Sequence, residues 1–222
     1  MQSLDLLQQL AVSLLPLLLA LTVPTIVQAR VARALGDTTG QQYDRLSLNP
    51  LAHADPVGTL IVPGAMIALG NLAGGAGGLL IGWAKPLPIS YRNFRDPRGA
   101  AIRLALAALG SKFLLALAWA FVFKATYGAT EGVPLGVFLM AQQGIVISLS
   151  FFVLNLLPLP PFALGTMLLV TLPPRRAQQL ESIQPYTFWI ILALAVTGLF
   201  GVLMQPLFGV LYALISIIVS LF

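Results

Sequence analysis

Long apolar runs separated by short polar loops dominate the 222-residue chain. The first runs from about Leu10 to Val27 with Pro16 and Pro24 inside it, a second from Pro56 to Trp83, a third from about Ala101 to Phe123 and a fourth from about Pro134 to Leu157. Residues 186 to 222 carry no charge and read as a two-span hairpin broken near Gln205-Pro206. About 20 apolar residues cross a bilayer, so the pattern predicts an all-α, polytopic transmembrane bundle of about six spans in one domain. Local signals add detail. The alternation from Tyr43 to Leu48 in the first loop predicts an edge strand or short β-hairpin. The glycine tract Gly70 to Gly78 allows close helix packing or a break. In Asn155-Leu-Leu-Pro158-Leu-Pro160-Pro161 each proline removes a donor and pushes its predecessor out of α geometry. The backbone must unwind there at membrane depth, against protein or a cavity, before a short helix resumes to about Leu172.

Composition sharpens this picture. Hydrophobic residues make up 58% of the chain and charged residues 9%, with a mean hydropathy of +0.92, which defines an integral membrane protein. The first span has no basic region before it and is longer than a signal-peptide core, so it reads as retained. A net charge of +5 raises the question of nucleic acid. The basic residues, however, sit beside the spans without interleaved aromatics, so nucleic acid is not expected as a partner. They read instead as lipid-headgroup anchors and topology signals. If the spans simply alternate, the two most basic loops, one with Arg30, Arg33 and Arg45 and one with Lys85, Arg92, Arg95 and Arg98, fall on opposite membrane faces. Either the glycine tract is a hairpin or the positive-inside rule is weakly obeyed.

Candidate chemistry is sparse. A catalytic zinc needs three protein ligands and an open position. The chain has one histidine, His53, no cysteine, and acids (Asp5, Asp37, Asp44, Asp55, Asp96, Glu131, Glu181) that all lie in loops or at a terminus. No HExxH pair exists, and no cofactor is expected. Ser111 could pair with Lys112 or His53, but adjacent helical residues point about 100° apart. Lys112, mid-span, carries an insertion cost of at least about 2.5 kcal/mol. It therefore reads either as a contact to a ligand, headgroup or subunit, or as a side chain that snorkels. His53 reads as a loop-supporting hydrogen-bonding residue.

Four segments resemble the site-2 protease family of intramembrane metalloproteases in its compact prokaryotic form. Gly36-Asp37, with Ala29 and Ala32 before it, is similar to the end of the HExxHA helix; RLSLNPLAHADPVGT (Arg45 to Thr59) and IGWAKPLPISYRNFRDPR (Ile81 to Arg98) are similar to the loop and basic segments; NLLPLPPFALG (Asn155 to Gly165) is similar to NxLPxPPxDGG. The resemblance covers roughly residues 15 to 175, with residues 186 to 222 as an addition. It implies that Pro24 and Gln28 stand where zinc histidines belong, Thr25 where the general base belongs, Ala163 where the aspartate ligand belongs, and Lys112 where the asparagine of AGPxxN belongs. The expectation is then a protein without enzymatic activity: a scaffold or subunit of the prokaryotic cytoplasmic membrane that binds other integral membrane proteins and lipids. Lys112, Asn155, His53 and Arg30 are its expected partner or cavity contacts. The alternatives are a peptidase with displaced chemistry and a lipid- or solute-handling protein.

Overall fold

The computed structural model describes residues 6–43, 45–72, 82–128 and 131–221. Among these, four helices are long and apolar enough to cross a membrane: α1 (Leu6–Ala34), α5 (Pro97–Ala125), α6 (Gly132–Asn155) and α10 (Leu199–Ser220). Shorter helices lie between them: α2 (Thr39–Gln42), α3 (Pro50–His53), α4 (Val62–Leu72, entered through a wide π-type turn at Pro56–Ile61), α7 (Ala163–Thr171), α8 (Pro174–Ile183) and α9 (Thr187–Val196).

The core is the three-helix contact of α1, α5 and α6. Leu17, Ala20 and Leu21 of α1 meet Ile147, Phe151 and Leu154 of α6. Ala116, Trp119 and Ala120 of α5 meet Ala141, Ile145 and Leu149 of α6. Without a hydrophobic driving force inside lipid, such helices associate through close packing, which small residues permit. Gly144 is one of them: a methyl group there would run into the Trp119 indole.

The expectation of about six spans is corrected to four candidates. The reason lies at the two ends of the second apolar stretch, which are stitched together. The Trp83 N–H donates to the Gly58 carbonyl (3.0 Å) and the Lys85 N–H to the His53 carbonyl (2.8 Å), while the Thr59 hydroxyl donates to the Trp83 carbonyl (2.9 Å). The stretch therefore begins and ends at one level. Most of the glycine tract, from residue 73 on, lies outside the described residues.

The C-terminal hairpin is corrected as well. α9 has 10 residues, about 15 Å and half a bilayer core. The break falls at Gly198, in left-handed geometry (φ +72°), and α10 runs straight through Gln205 and Pro206. Glycine adopts that geometry without a Cβ clash, whereas a proline in a membrane helix is tolerated.

Nor is there a strand among the described residues of the first loop. The carbonyls of Leu46 and Ser47, which a ladder would use, are taken by Arg30 Nη2 (3.4 Å) and by the His53 ring (Nε2 to oxygen, 2.9 Å). Asn49 caps α3, accepting from the Leu51 N–H at 3.0 Å.

The chain does unwind at the proline motif, between Asn155 and Ala163, and the freed groups are met. Asn155 Oδ1 accepts from the Ala163 N–H (3.3 Å), and the Pro160 and Pro161 carbonyls accept from the hydroxyls of Thr187 (2.6 Å) and Thr166 (3.3 Å). The Pro160–Pro161 bond is cis. Gly165 packs so tightly on this loop that a Cβ would collide with the backbone of Leu159 and Pro160.

Candidate membrane-embedded site

α1 ends in a glycine cap: Gly36 sits at φ +106°, and the Asp37 N–H returns to the Ala32 carbonyl at 2.9 Å. This turns the Asp37 carboxylate inward, where it is 2% exposed. It accepts from the Thr39 N–H (3.1 Å), the Thr39 hydroxyl (2.6 Å), the Ser90 N–H (3.0 Å) and Asn93 Nδ2 (2.8 Å). Burial alone pushes the Asp37 pKa up, but these hydrogen bonds outweigh it and hold the carboxyl below its usual range. Gly36-Asp37 is thus a clasp joining the end of α1 to the loop that leads into α5. Beneath it Ala32, Phe94, Ala100 and Leu104 form a small apolar core. The two basic loops therefore lie on one face, and the charge arrangement agrees with the positive-inside rule.

Residues 104 to 112 of α5 meet two of the positions singled out by the resemblance, Gln28 and Ala163, and carry a third, Lys112. From α1, Gln28 Nε2 donates to the Leu104 carbonyl at 3.3 Å. Pro24 is buried, and the Thr25 hydroxyl donates to its own helix at Leu21 (3.2 Å). On another side of α5, Ala105 and Ala108 pack against Ala163 and Met167 of α7. The Asn155 amide, which holds the Ala163 N–H, donates in turn to the Phe151 carbonyl (2.8 Å). Ser111 and Lys112 are both buried. Ser111 Oγ donates to the Ala108 carbonyl at 3.0 Å and Lys112 Nζ to the same oxygen at 3.3 Å. Adjacent positions that the sequence places about 100° apart thus converge on one acceptor. Lys112 does not snorkel to the surface; it is 6% exposed.

Two predicted contacts lie elsewhere. His53 is fully buried in the first loop beside Ser47, its Nδ1 lacking a hydrogen-bond partner. Arg30 is exposed at the end of α1. Missed by sequence reasoning were the clasp role of Asp37 and the reach of Gln28 to α5. The first could have been found from the glycine-acid pair at a helix end; the second had no local signal.

The described residues thus form a polytopic helical frame with an unwound segment between Asn155 and Ala163 and with polar side chains on α1, α5 and α6. No protein-family model and no solved structure matches the chain. A Bacillus subtilis (strain 168) protein named "Putative zinc metalloprotease YwhC" is 30% identical over 195 residues, covering 86% of this chain and 83% of that protein. The chain belongs to the family of that zinc metalloprotease, which supports a site-2 protease-like relationship. The relationship points to an enzyme and corrects the expectation of a protein without activity; substitutions at one set of ligand positions do not establish inactivity.

The residues at those positions do not fit zinc. Proline and alanine side chains offer no ligand atom, so Thr25 and Gln28 alone fall short of the three protein ligands a catalytic zinc needs, and among the described residues no three of His, Cys, Asp or Glu cluster. No step through a metal is drawn for them.

Proposed function

We propose that the chain is a membrane protease-like protein that engages transmembrane segments of other integral membrane proteins in a prokaryotic cytoplasmic membrane, acting on them as a binding subunit or scaffold along α5. The observation that supports this reading is the row of polar groups on Gln28, Ser111, Lys112 and Asn155 inside otherwise apolar spans. Three of the four, on Ser111, Lys112 and Asn155, bond a carbonyl three or four positions earlier on their own helix. Exchanging such a bond for one to an incoming helix costs little, and hydrogen bonds between helices are worth about 0.6–2 kcal/mol in a bilayer. A photocrosslinking side chain at Leu109, reconstituted with defined single-span proteins, should form adducts that Lys112→Met weakens. The control is Val210, 69% exposed on α10. Equal adduct yields at Leu109 and Val210 would refute the reading.

A second reading rests on the convergence of Ser111 and Lys112 on the Ala108 carbonyl. A lysine amine that has shed its proton could take the hydroxyl proton as Oγ attacks a scissile carbonyl, giving a peptidase with displaced chemistry. Cleavage of a helix-containing substrate that disappears in both Ser111→Ala and Lys112→Met, with folding intact, supports it. Undiminished cleavage in either variant removes it.

A further inference from the structure

Two open cavities flank Ala34 where α1 ends. One, of about 390 Å³, is lined by Arg30, Arg33 and Leu46. The other, of about 410 Å³, is lined by Leu35, Phe94, Arg95, Asp96 and Arg103 among others. The four arginines come from two separate parts of the chain and are all exposed. They are brought together by the Asp37 clasp and the apolar contact beneath it.

Among the described residues, the carboxylates of this region accept from groups other than these guanidiniums. Asp37 holds Ser90, Asn93 and Thr39; Asp55 accepts from the N–H groups of Val57 and Gly58; Asp96, which shares the second cavity, accepts from the Gly99 N–H at 3.0 Å. Arg30 donates to a carbonyl, and Arg33, Arg95 and Arg103 bond no carboxylate among the described residues. The result is a concentration of guanidinium charge that no carboxylate among the described residues pairs with directly, and arginine forks match phosphate oxygens in pairs.

Depth points the same way. α1 and α5 have 29 residues each, about 43 Å, against a hydrocarbon core of about 30 Å. Their adjoining ends therefore lie at headgroup level. Leucine and phenylalanine side chains in the same walls provide the apolar flank that a lipid needs below its phosphate.

We propose that Arg30, Arg33, Arg95 and Arg103 form a binding site for a phosphate-bearing anion, whether the headgroup phosphodiester of an anionic phospholipid or a soluble phosphate. The full chain is placed in nanodiscs of phosphatidylcholine alone or with one-fifth phosphatidylglycerol, and retained lipid is read by native mass spectrometry. The same samples are melted with and without 10 mM inorganic phosphate. Wild-type protein should retain phosphatidylglycerol over phosphatidylcholine in a ratio at least tenfold above that of the bulk lipid, and Arg33→Gln with Arg103→Gln should abolish the excess. Arg92→Gln, in the same loop but outside both cavities, should keep it. A phosphate-dependent rise in melting temperature in phosphatidylcholine alone, lost in the double variant, identifies a soluble phosphate as the ligand. The proposal is overturned if wild type shows neither the lipid preference nor the phosphate response, or if Arg92→Gln weakens them as much as the double variant does.

Discussion

Replacing Asp37 should open the loop before α5 without dismantling the bundle. Its carboxylate accepts four hydrogen bonds, from Thr39 twice, Ser90 and Asn93. A bond to a charged group contributes about 1.5–3 kcal/mol, but Thr39 and Asn93 lie near water and recover part of theirs. Asp37→Ala should therefore weaken the clasp by about 2–4 kcal/mol. Asp37→Asn keeps one acceptor oxygen and sets a donor against the Ser90 N–H, so about 1–2 kcal/mol is expected. Arg92 and Arg95 make the opening visible, because trypsin must unfold this loop to cut there. When opening is fast, the nicking rate tracks the open population, and 1.4 kcal/mol is tenfold. Asp37→Ala should be nicked at least roughly 30-fold faster than wild type, with Asp37→Asn in between. The pH dependence follows from the lowered pKa. An unfolded aspartate titrates near 3.9, so the open state binds the proton more readily. The clasp is at full strength above about pH 5 and weakens as pH falls through the folded value. Asp37→Asn should lack that dependence. Nicking within twofold of wild type in Asp37→Ala would refute the argument.

Other outcomes test the packing and the topology. Gly144→Ala, which drives a methyl into the Trp119 indole, should destabilise by about 1–3 kcal/mol, whereas Gly136→Ala, with open space around it, should be neutral or stabilising in a thermal melt. Gly165→Ala meets the backbone of Leu159 and Pro160, which cannot yield like a side chain, so α7 should undock and Met167 should become accessible to oxidation. Lys112→Met replaces a buried polar side chain with an apolar one and should raise the melting temperature even where it abolishes function. The chain has no cysteine, so single cysteines report topology without background. Arg33→Cys and Arg95→Cys should label from the same side of the membrane and Tyr127→Cys from the other.

Where a rule needed only neighbours in sequence, the chain could be read directly. The proline motif had to unwind, and it does so between Asn155 and Ala163. α1, α5 and α6 follow their apolar runs to within a few residues. What failed depended on distant partners. No local signal says that Trp83 returns to Gly58, so from sequence the second apolar stretch stays open between a span and a hairpin at the glycine tract. Pro206 looked like a stronger break than Gly198 because a proline's missing donor is visible in sequence while left-handed geometry is not. At the site, the substituted positions were legible by resemblance, but the grip of Gln28 on Leu104 links residues far apart in the chain. The shared acceptor of Ser111 and Lys112 was obscured by reasoning from Cα directions alone, because a long side chain can turn back along its helix.

The gathering of the basic loops onto one face has an electrical consequence. The stretch from Arg30 to Arg103 carries Arg30, Arg33, Arg45, Lys85, Arg92, Arg95, Arg98 and Arg103 against Asp37, Asp44, Asp55 and Asp96, a net of four positive charges. Each charge moved across a membrane potential is worth about 2.3 kcal/mol per 100 mV, so turning this face to the other side of an energised membrane would cost on the order of 9 kcal/mol per 100 mV. A potential that is negative on the side of this face would therefore favour that orientation over the inverted one as the chain inserts.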